Sequence, residues 1–455
     1  MTSKKLVALL VTAALSPITP AFAGDIDELK QEIAKMRTDY EQRIQQLEQR
    51  LAQAESDTET VSKQMAETQS QLPAATRSNS NNSFNPAISM VLNGQFSDYQ
   101  NDPDDYAITG FSVPGEGGLA REGLSLGESE LVVSANIDQL FYGQATLALH
   151  DHESETELEL EEAFIETLGL GHGFTLRGGR YFAPIGYLNE KHIHAWNFAD
   201  APLIYRGLFG NQLSTDGLKL SYLLPTDFLF EVGASAGNGD SHPGSGEHSG
   251  IGDWLIYAKT GGDIGIEHSW QASVSHWQAN PDDREYGEGH AHGDEEEAAA
   301  VAFNGETDVT NLSLVYKWAP NGNFRQQNLT LLGEFFYLND DGSLTHEDEF
   351  ARYDGKQYGG FIEGIYQFTP RWRSGLRYDW LGSKHRASDE ELLADADLDI
   401  TGYHPQRTSA MVEWLPSEFS RVRAQVNHDK SSRDDDWQFL LQYTVSLGAH
   451  GAHQF

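Results

Sequence analysis

The 455-residue sequence contains no cysteine. This absence excludes a disulfide framework, a thiolate nucleophile and a zinc–thiolate site. Basic residues are scarce, since 31 Lys and Arg stand against 69 Asp and Glu and the formal net charge is -38. Proteins bind the phosphate backbone of nucleic acids through Lys and Arg, so we expect no nucleic-acid partner for this acidic chain. After residue 23, no apolar run reaches the roughly 20 residues that a membrane-spanning helix needs.

The first 23 residues have the pattern of a signal peptide. Lys4 and Lys5 precede an apolar stretch at residues 6–15, and Ala21-Phe22-Ala23 forms a small-residue cleavage signal. Ser and Pro interrupt the apolar stretch before it reaches spanning length. The sequence therefore predicts export and removal of residues 1–23.

Residues 24–72 predict an α-helical coiled coil. Apolar residues recur at alternating steps of three and four, beginning at Ile26, Leu29, Ile33 and Met36. Such a narrow stripe fits a seam between parallel helices, and we favour a homotrimer; the alternative is a lone charged helix, which little would stabilise. Residues 73–85, rich in Ser and Asn, predict a flexible linker.

The remainder, residues 86–455, alternates with period 2 in segments of about ten residues. Trp437, Phe439 and Leu441, for example, alternate with Gln438 and Gln442. A soluble sandwich would bury the apolar face, whereas an outer-membrane barrel would turn it to lipid. Sixteen strands are predicted at residues 84–98, 125–138, 140–150, 157–168, 173–186, 213–224, 228–237, 252–260, 264–279, 305–319, 327–339, 355–369, 371–383, 403–415, 419–430 and 436–448.

The connections between these strands alternate between short turns and mostly long loops. Gly261-Gly262 and Pro416-Ser417 are examples of the short set, and residues 187–212, 280–304 and 340–354 are examples of the long set. An even strand number with short turns at one rim and long loops at the other is typical of bacterial outer-membrane barrels. The predicted fold is therefore all-β: a 16-stranded antiparallel transmembrane β-barrel preceded by the coiled coil.

This organisation, with its terminal Phe455, resembles trimeric Gram-negative outer-membrane porins that carry an N-terminal periplasmic coiled coil. The stretches GRYFAPIG (residues 179–186) and DGLKLSY (residues 216–222) are similar to the phosphate-selective porin family. The resemblance implies that the connection at residues 187–212 folds into the pore and narrows it. Phosphate selectivity does not carry over, because an anion-selective member would be rich in Lys and Arg and this chain is acidic. One interpretation is a zinc-associated member.

Placing the apolar side chains outward predicts which charges line the pore. Outward Leu158, Leu160 and Phe164 would turn three glutamates inward and leave Glu162 and Glu166 on the outside. The same argument turns six arginines inward on three later strands. The predicted pore-lining residues are Glu157, Glu159, Glu161, Arg371, Arg373, Arg377, Arg407, Arg421 and Arg423. The two sets would lie nearly opposite each other and impose a transverse field, unless neighbouring charges pair.

The histidines suggest capture of metal ions. Ten of the 17, including His192 and His194, fall in the predicted long connections. Imidazole and carboxylate groups are suitable ligands for zinc, copper or nickel. We therefore expect no resident cofactor but a weakly bound Zn²⁺ or similar divalent cation in two loops. The candidate ligands are His242, His248, His290, His292 and Asp294.

The leading hypothesis is a passive outer-membrane channel for small hydrophilic solutes, with divalent metal ions such as zinc to be tested first. The alternatives are a carbohydrate or general porin without a metal role, and a structural tether of the envelope. The coiled coil would lie in the periplasm. We expect no enzymatic activity, since no G-x-S-x-G or comparable nucleophile motif is present.

Overall fold

The computed structural model describes residues 86–114, 117–152, 155–286, 300–398 and 402–448. The predicted signal peptide, coiled coil and linker lie outside these residues, as do His290, His292, Asp294 and Phe455. What the sequence indicates for them remains a prediction. Among the described residues, none of the helices combines the length and apolarity required to cross a bilayer.

The described residues form one closed antiparallel sheet, and the predicted sixteen-stranded barrel is confirmed. Each barrel strand pairs with the next, and β1 pairs with both β2 and β17, which closes the ring. The strands are β1 Ala87–Tyr99, β2 Gly123–Asn136, β3 Phe141–His152, β4 Glu155–Thr167, β5 Phe174–Phe182, β6 Ser214–Leu223, β7 Leu229–Gly237, β8 Asp253–Ile264, β9 His268–Ala279, β10 Arg284–Tyr286, β11 Val301–Trp318, β12 Asn328–His346, β13 Glu349–Thr369, β14 Trp372–Ala387, β15 Gln406–Ser417, β16 Ser420–Lys430 and β17 Asp436–Gly448.

Within the described ranges, two short α-helices, three 3-10 turns and one extra strand lie in the connections. The helices are α1 Leu203–Phe209 and α2 Glu391–Asp395. The extra strand, β10, pairs with the start of β11, where Arg284 lies opposite Phe303. It was not predicted, because three residues are too few for period-2 alternation to be recognised.

Several predicted connections are wrong. Pro416-Ser417 is not a turn, because β15 runs to Ser417 and the turn follows at residues 418–419. Residues 340–354 are not a long loop: β12 and β13 continue to the pair His346↔Glu349, so the connection is a tight turn. Their polar composition indicated a loop, yet backbone ladder bonds form whatever the side chains are. Gly261-Gly262 is not a turn either, because β8 runs on to Ile264 and Gly261 pairs with Gln271.

The two faces of the barrel differ as the alternation predicts. On β17, Trp437 is 54% and Leu441 40% exposed, whereas Gln438 is 1% and Gln442 2% exposed. On β14, Leu376 is 66% exposed and its neighbour Arg377 is 2% exposed. The barrel therefore has an apolar outer surface and a mostly polar interior, the reverse of a soluble sandwich.

Candidate functional site

The connection between β5 and β6, residues 183–213, lies inside the barrel; we call it the inserted segment. All seven residues of α1 are buried. The ring of Tyr205 in α1 packs edge-on against Phe336 of β12, with the ring centroids 5.1 Å apart. Phe336 is buried between the exposed residues Phe335 and Tyr337, so it points into the barrel. The position of residues 187–212 inside the barrel agrees with what the porin resemblance implied.

One carboxylate holds the start of the inserted segment. The backbone N–H groups of Tyr187 and Leu188 donate to Glu334 of β12 over 3.0 and 2.9 Å. Gly186 precedes them with φ +78°, and a Cβ there would lie 2.2 Å from the Glu334 Oε2. Only glycine accommodates both this backbone conformation and this close approach. The last residue of the GRYFAPIG stretch therefore sets the path by which the chain enters the barrel.

The predicted arginines converge on the middle of the inserted segment. Arg377 lies 2.7 Å and Arg407 3.1 Å from the Asp200 carboxylate. Arg423 donates to the Trp196 carbonyl over 2.9 Å. The remaining contacts join Arg373 to Asn197 over 3.4 Å and Arg421 to the His194 carbonyl, while Arg371 is exposed at the turn before β14.

Acidic side chains of the wall neutralise these arginines. Glu413 lies 2.5 Å from Arg373 and 2.8 Å from Arg423. Asp379 lies 3.1 Å from Arg377 and 3.7 Å from Arg407. The arginines are thus paired with neighbours rather than standing as a free basic ladder. They hold the inserted segment instead of facing an open bore.

Asp200 connects the inserted segment to three strands. Besides Arg377 and Arg407 it accepts hydrogen bonds from Gln425 over 2.7 Å and Asn427 over 2.8 Å. Burial alone would raise the pKa of Asp200, but the positive charges of Arg407 and Arg377 outweigh it and hold the pKa well below its usual range. Asp200 is therefore an ionised anchor.

A second ion-pair group lies near the start of the inserted segment. Glu190 contacts Lys259 of β8 and lies 3.6 Å from Lys219 of β6. Burial would raise the pKa of Glu190, but Lys259 and Lys219 together lower it to about 2. This pairing links the inserted segment to the wall opposite the arginines.

Acidic residues of β2 and β4 face two histidines of the inserted segment. His192 Nδ1 lies 3.2 Å from Glu161 Oε2, and its Nε2 lies 3.0 Å from Glu162 Oε2. His194 Nδ1 lies 2.5 Å from Glu130 Oε1. Burial would lower the pKa of His192, but Glu130, Glu161 and Glu162 raise it well above its usual value.

The orientation predicted for part of β4 is wrong. Thr146 pairs with Glu162 but Leu147 pairs with Leu160, so β4 has a bulge at Glu161. A bulge adds one residue and shifts the alternation by one position beyond it. Phe164 is consequently buried, with the Arg177 guanidinium 4.0 Å above its ring, and Glu166 pairs with Arg177 over 2.7 Å. Of the three predicted glutamates, Glu157 and Glu159 are exposed and Glu161 is buried.

The predicted metal ligands are not brought together among the described residues. The peptide bond between His242 and Pro243 is cis. Burial of His242, together with a smaller effect of the positive charge on Arg284, lowers the pKa of His242 to about 3. His248 contacts the Ser245 carbonyl over 3.0 Å. Within the described ranges, the groups whose ligand atoms lie within 4.8 Å of one another are Glu130, Glu161 and His192, and also His346, Glu349 and Asp395. Neither contains His242 or His248.

Sequence reasoning missed several residues that hold the site. Glu413 was available from the pattern, because it alternates with Val412 and Trp414, which were placed outward. Glu334 carries the same signal beside Phe335. The H-x-H spacing of His192 and His194 was also visible. For Asp200, no local signal exists beyond its place in the inserted segment.

No family model matches the chain. A protein of Aquifex aeolicus (strain VF5), described as uncharacterized, is 27% identical over 404 residues, which cover 83% of this chain and 81% of that protein. Among solved structures, the outer membrane channel DcaP of Acinetobacter baumannii is 11% identical, with 80% of this chain and 97% of that chain covered and a TM-score of 0.49. The anion-selective porin from Comamonas acidovorans is 11% identical, with 80% and 99% covered and a TM-score of 0.48. OprB of Pseudomonas putida is 12% identical, with 80% and 94% covered and a TM-score of 0.45. None of these likenesses carries a function over to this chain.

Proposed function

We propose that the chain is an outer-membrane channel through which small hydrophilic solutes diffuse passively. The observation that carries this proposal is the inserted segment, held inside a closed barrel by ion pairs to opposite walls. An apolar outer surface on a closed barrel suits lipid, since all ladder bonds are satisfied within the sheet. A segment fixed across the interior would narrow the bore that the ring of strands encloses.

The distribution of polar groups supports a water-accessible path on one side of the inserted segment. α1 contacts β13 and β14 and buries apolar side chains there. Glu190, Lys191, His192 and His194 lie on the other side and are only partly buried. Solutes would pass these side chains, where charge orients and selects them. The acidic composition would concentrate cations at the pore.

We also propose export to the outer membrane, assembly as a trimer and a periplasmic position for the coiled coil. The predicted signal peptide supports export to the outer membrane, and the predicted coiled coil supports a trimer with its rod in the periplasm. Crosslinking of the purified full chain tests the trimer. The alternative role, a structural tether of the envelope, is tested by deleting residues 25–72. If the chain is a tether, the deletion should reduce envelope integrity and leave permeability unchanged.

Solute flux tests the channel directly. Liposomes containing the purified protein should swell in isotonic solutions of small sugars, more slowly as solute size grows. Boiled protein is the control. Liposomes that swell no faster than those with boiled protein would overturn the proposal. Specific flux of one sugar would favour a carbohydrate porin, whereas facilitated entry of Zn²⁺ would favour a metal channel.

A further inference from the structure

The histidine cluster at the inserted segment has the arrangement of a metal site. His192 Nδ1 lies 3.2 Å from both Glu130 Oε2 and Glu161 Oε2. Its other nitrogen, Nε2, contacts Glu162 over 3.0 Å. His194 contacts the second oxygen of Glu130, and the two imidazole rings stack with their centroids 5.7 Å apart. These five side chains come from β2, β4 and the inserted segment.

One oxygen in this cluster lacks a partner. Glu130 is 1% exposed, and its Oε2 accepts no hydrogen bond although His192 Nδ1 is 3.2 Å away. Nδ1 carries one hydrogen at most, so it can serve only one of the two carboxylate oxygens that lie 3.2 Å from it, those of Glu130 and Glu161. A buried carboxylate oxygen without a partner is costly. The atom therefore points to a ligand that can serve both carboxylates at once.

The charges in the cluster point the same way. Three carboxylates, those of Glu130, Glu161 and Glu162, face two imidazoles, and a fourth carboxyl group, that of Glu128, lies beside Glu130. Even with both imidazoles protonated, one negative charge would remain without a counterpart among these five groups. A divalent cation in place of the Nδ1 proton would correct the imbalance, since metal binding to histidine releases that proton.

The spacing matches zinc coordination. Bonds from zinc to imidazole nitrogen and carboxylate oxygen are about 2.0–2.2 Å, so two ligand atoms of a tetrahedron lie about 3.3–3.6 Å apart. The two distances from His192 Nδ1 are both 3.2 Å. Metal-binding histidines usually donate the other ring N–H to a carboxylate, which fixes the ring. Glu162 is in that position, and His194 similarly orients Glu130.

The geometry points to a divalent transition-metal site, with Zn²⁺ the best-fitting ion, formed by His192 Nδ1, Glu130 Oε2 and Glu161 Oε2. This site rests on the proposed channel function and adds detail to it, because the ion would be a solute that binds transiently at the inserted segment during its passage. Three protein ligands leave the fourth tetrahedral position to water, as in sites where ligands exchange. The His192 side chain is 18% exposed, which gives the bore access to the ion.

Cobalt titration tests the site. Tetrahedral Co²⁺ has intense visible absorption bands at longer wavelength, whereas octahedral aqueous Co²⁺ absorbs only weakly. The full-length protein is purified with His290→Ala and His292→Ala, which remove the H-x-H pair of the predicted connection at residues 280–304. We expect about one tetrahedral Co²⁺ per chain, displaced by Zn²⁺. Glu161→Gln and His192→Ala should abolish the signal.

A variant of the carboxylate that contacts the other nitrogen of His192, together with a control variant, sharpens the result. Glu162→Gln should weaken Co²⁺ binding about 10–100-fold while leaving the tetrahedral spectrum. His276→Ala is the matched control, because His276 also faces a carboxylate, Asp308 at 3.5 Å, on the barrel wall. It should bind Co²⁺ as the parent does. Heat-modifiable electrophoretic mobility verifies that each variant is a folded barrel.

Two results would overturn the site. One is a folded parent protein that shows no tetrahedral Co²⁺ signal. The other is a signal that survives in both Glu161→Gln and His192→Ala. Flux of small sugars through the parent is a separate readout: flux without metal binding refutes the site alone, and metal binding without flux refutes the channel alone.

Discussion

Replacing Asp200 by Asn should release the inserted segment from the barrel wall. The substitution keeps the side-chain shape but removes the charge that faces Arg377 and Arg407 at 2.7 and 3.1 Å. Leaving a buried charge without its partner costs about 3–5 kcal/mol. Both arginines keep Asp379, at 3.1 and 3.7 Å, so we take the lower end, about 3 kcal/mol. That corresponds to a roughly 100-fold larger population of released segment.

A cysteine reporter measures that population, because the native chain has no cysteine. Ala201 is 3% exposed, so a thiol at Ala201→Cys reacts with a bulky water-soluble reagent only when the segment is released. We expect its labelling rate to rise roughly 100-fold when Asp200→Asn is added. Asp240→Asn, an exposed aspartate in another connection, is the control and should leave the rate unchanged. Equal rates in the Asp200→Asn and control backgrounds would refute the anchoring role.

Three further substitutions or conditions have defined outcomes. The folded state lowers the pKa of Asp200, so the ionised carboxylate stabilises the fold above its unfolded pKa of about 3.9, and this stabilisation is lost as pH falls further. The difference in heat stability between the native sequence and Asp200→Asn should therefore shrink below about pH 4. A difference that stays constant with pH would contradict this. Gly186→Ala combines a φ of +78° with a Cβ 2.2 Å from Glu334, so it should accelerate the Ala201→Cys labelling, whereas Gly250→Ala, with open space around it, should not. Leu376→Arg places a charge on the outer surface and should cost about 2–4 kcal/mol of folding free energy in lipid vesicles; Leu376→Met is the control, and a tolerated arginine would mean that this face does not meet lipid.

The barrel was predictable because one physical pattern specifies both its strands and its faces. Period-2 alternation fixes which side chains share a surface, and it placed Arg377 and Arg423 inward from their neighbours alone. It failed on β4, where the bulge at Glu161 reversed the faces and buried Phe164. A bulge depends on pairing with the adjacent strand, which a single segment does not reveal.

The site was less predictable because its contacts are distant in sequence. Asp200 and Arg377 are 177 residues apart, and Asp200 and Asn427 are 227 apart. Sequence patterns report local periodicity, whereas these pairs depend on where the inserted segment crosses the barrel. The sequence leaves pairing among neighbours as the alternative to opposed charge ladders, and the ladder interpretation requires free arginines. It omitted Asp200 and Glu413, which neutralise them.

Single-channel recording in planar bilayers is the sharpest test of the proposal that water and ions pass beside a segment fixed inside the barrel. The purified protein should give discrete conductance steps and a reversal potential that favours cations, and Asp200→Asn should give larger or noisier steps. A protein that inserts but gives no steps, or one that prefers anions and is indifferent to Asp200→Asn, would contradict it.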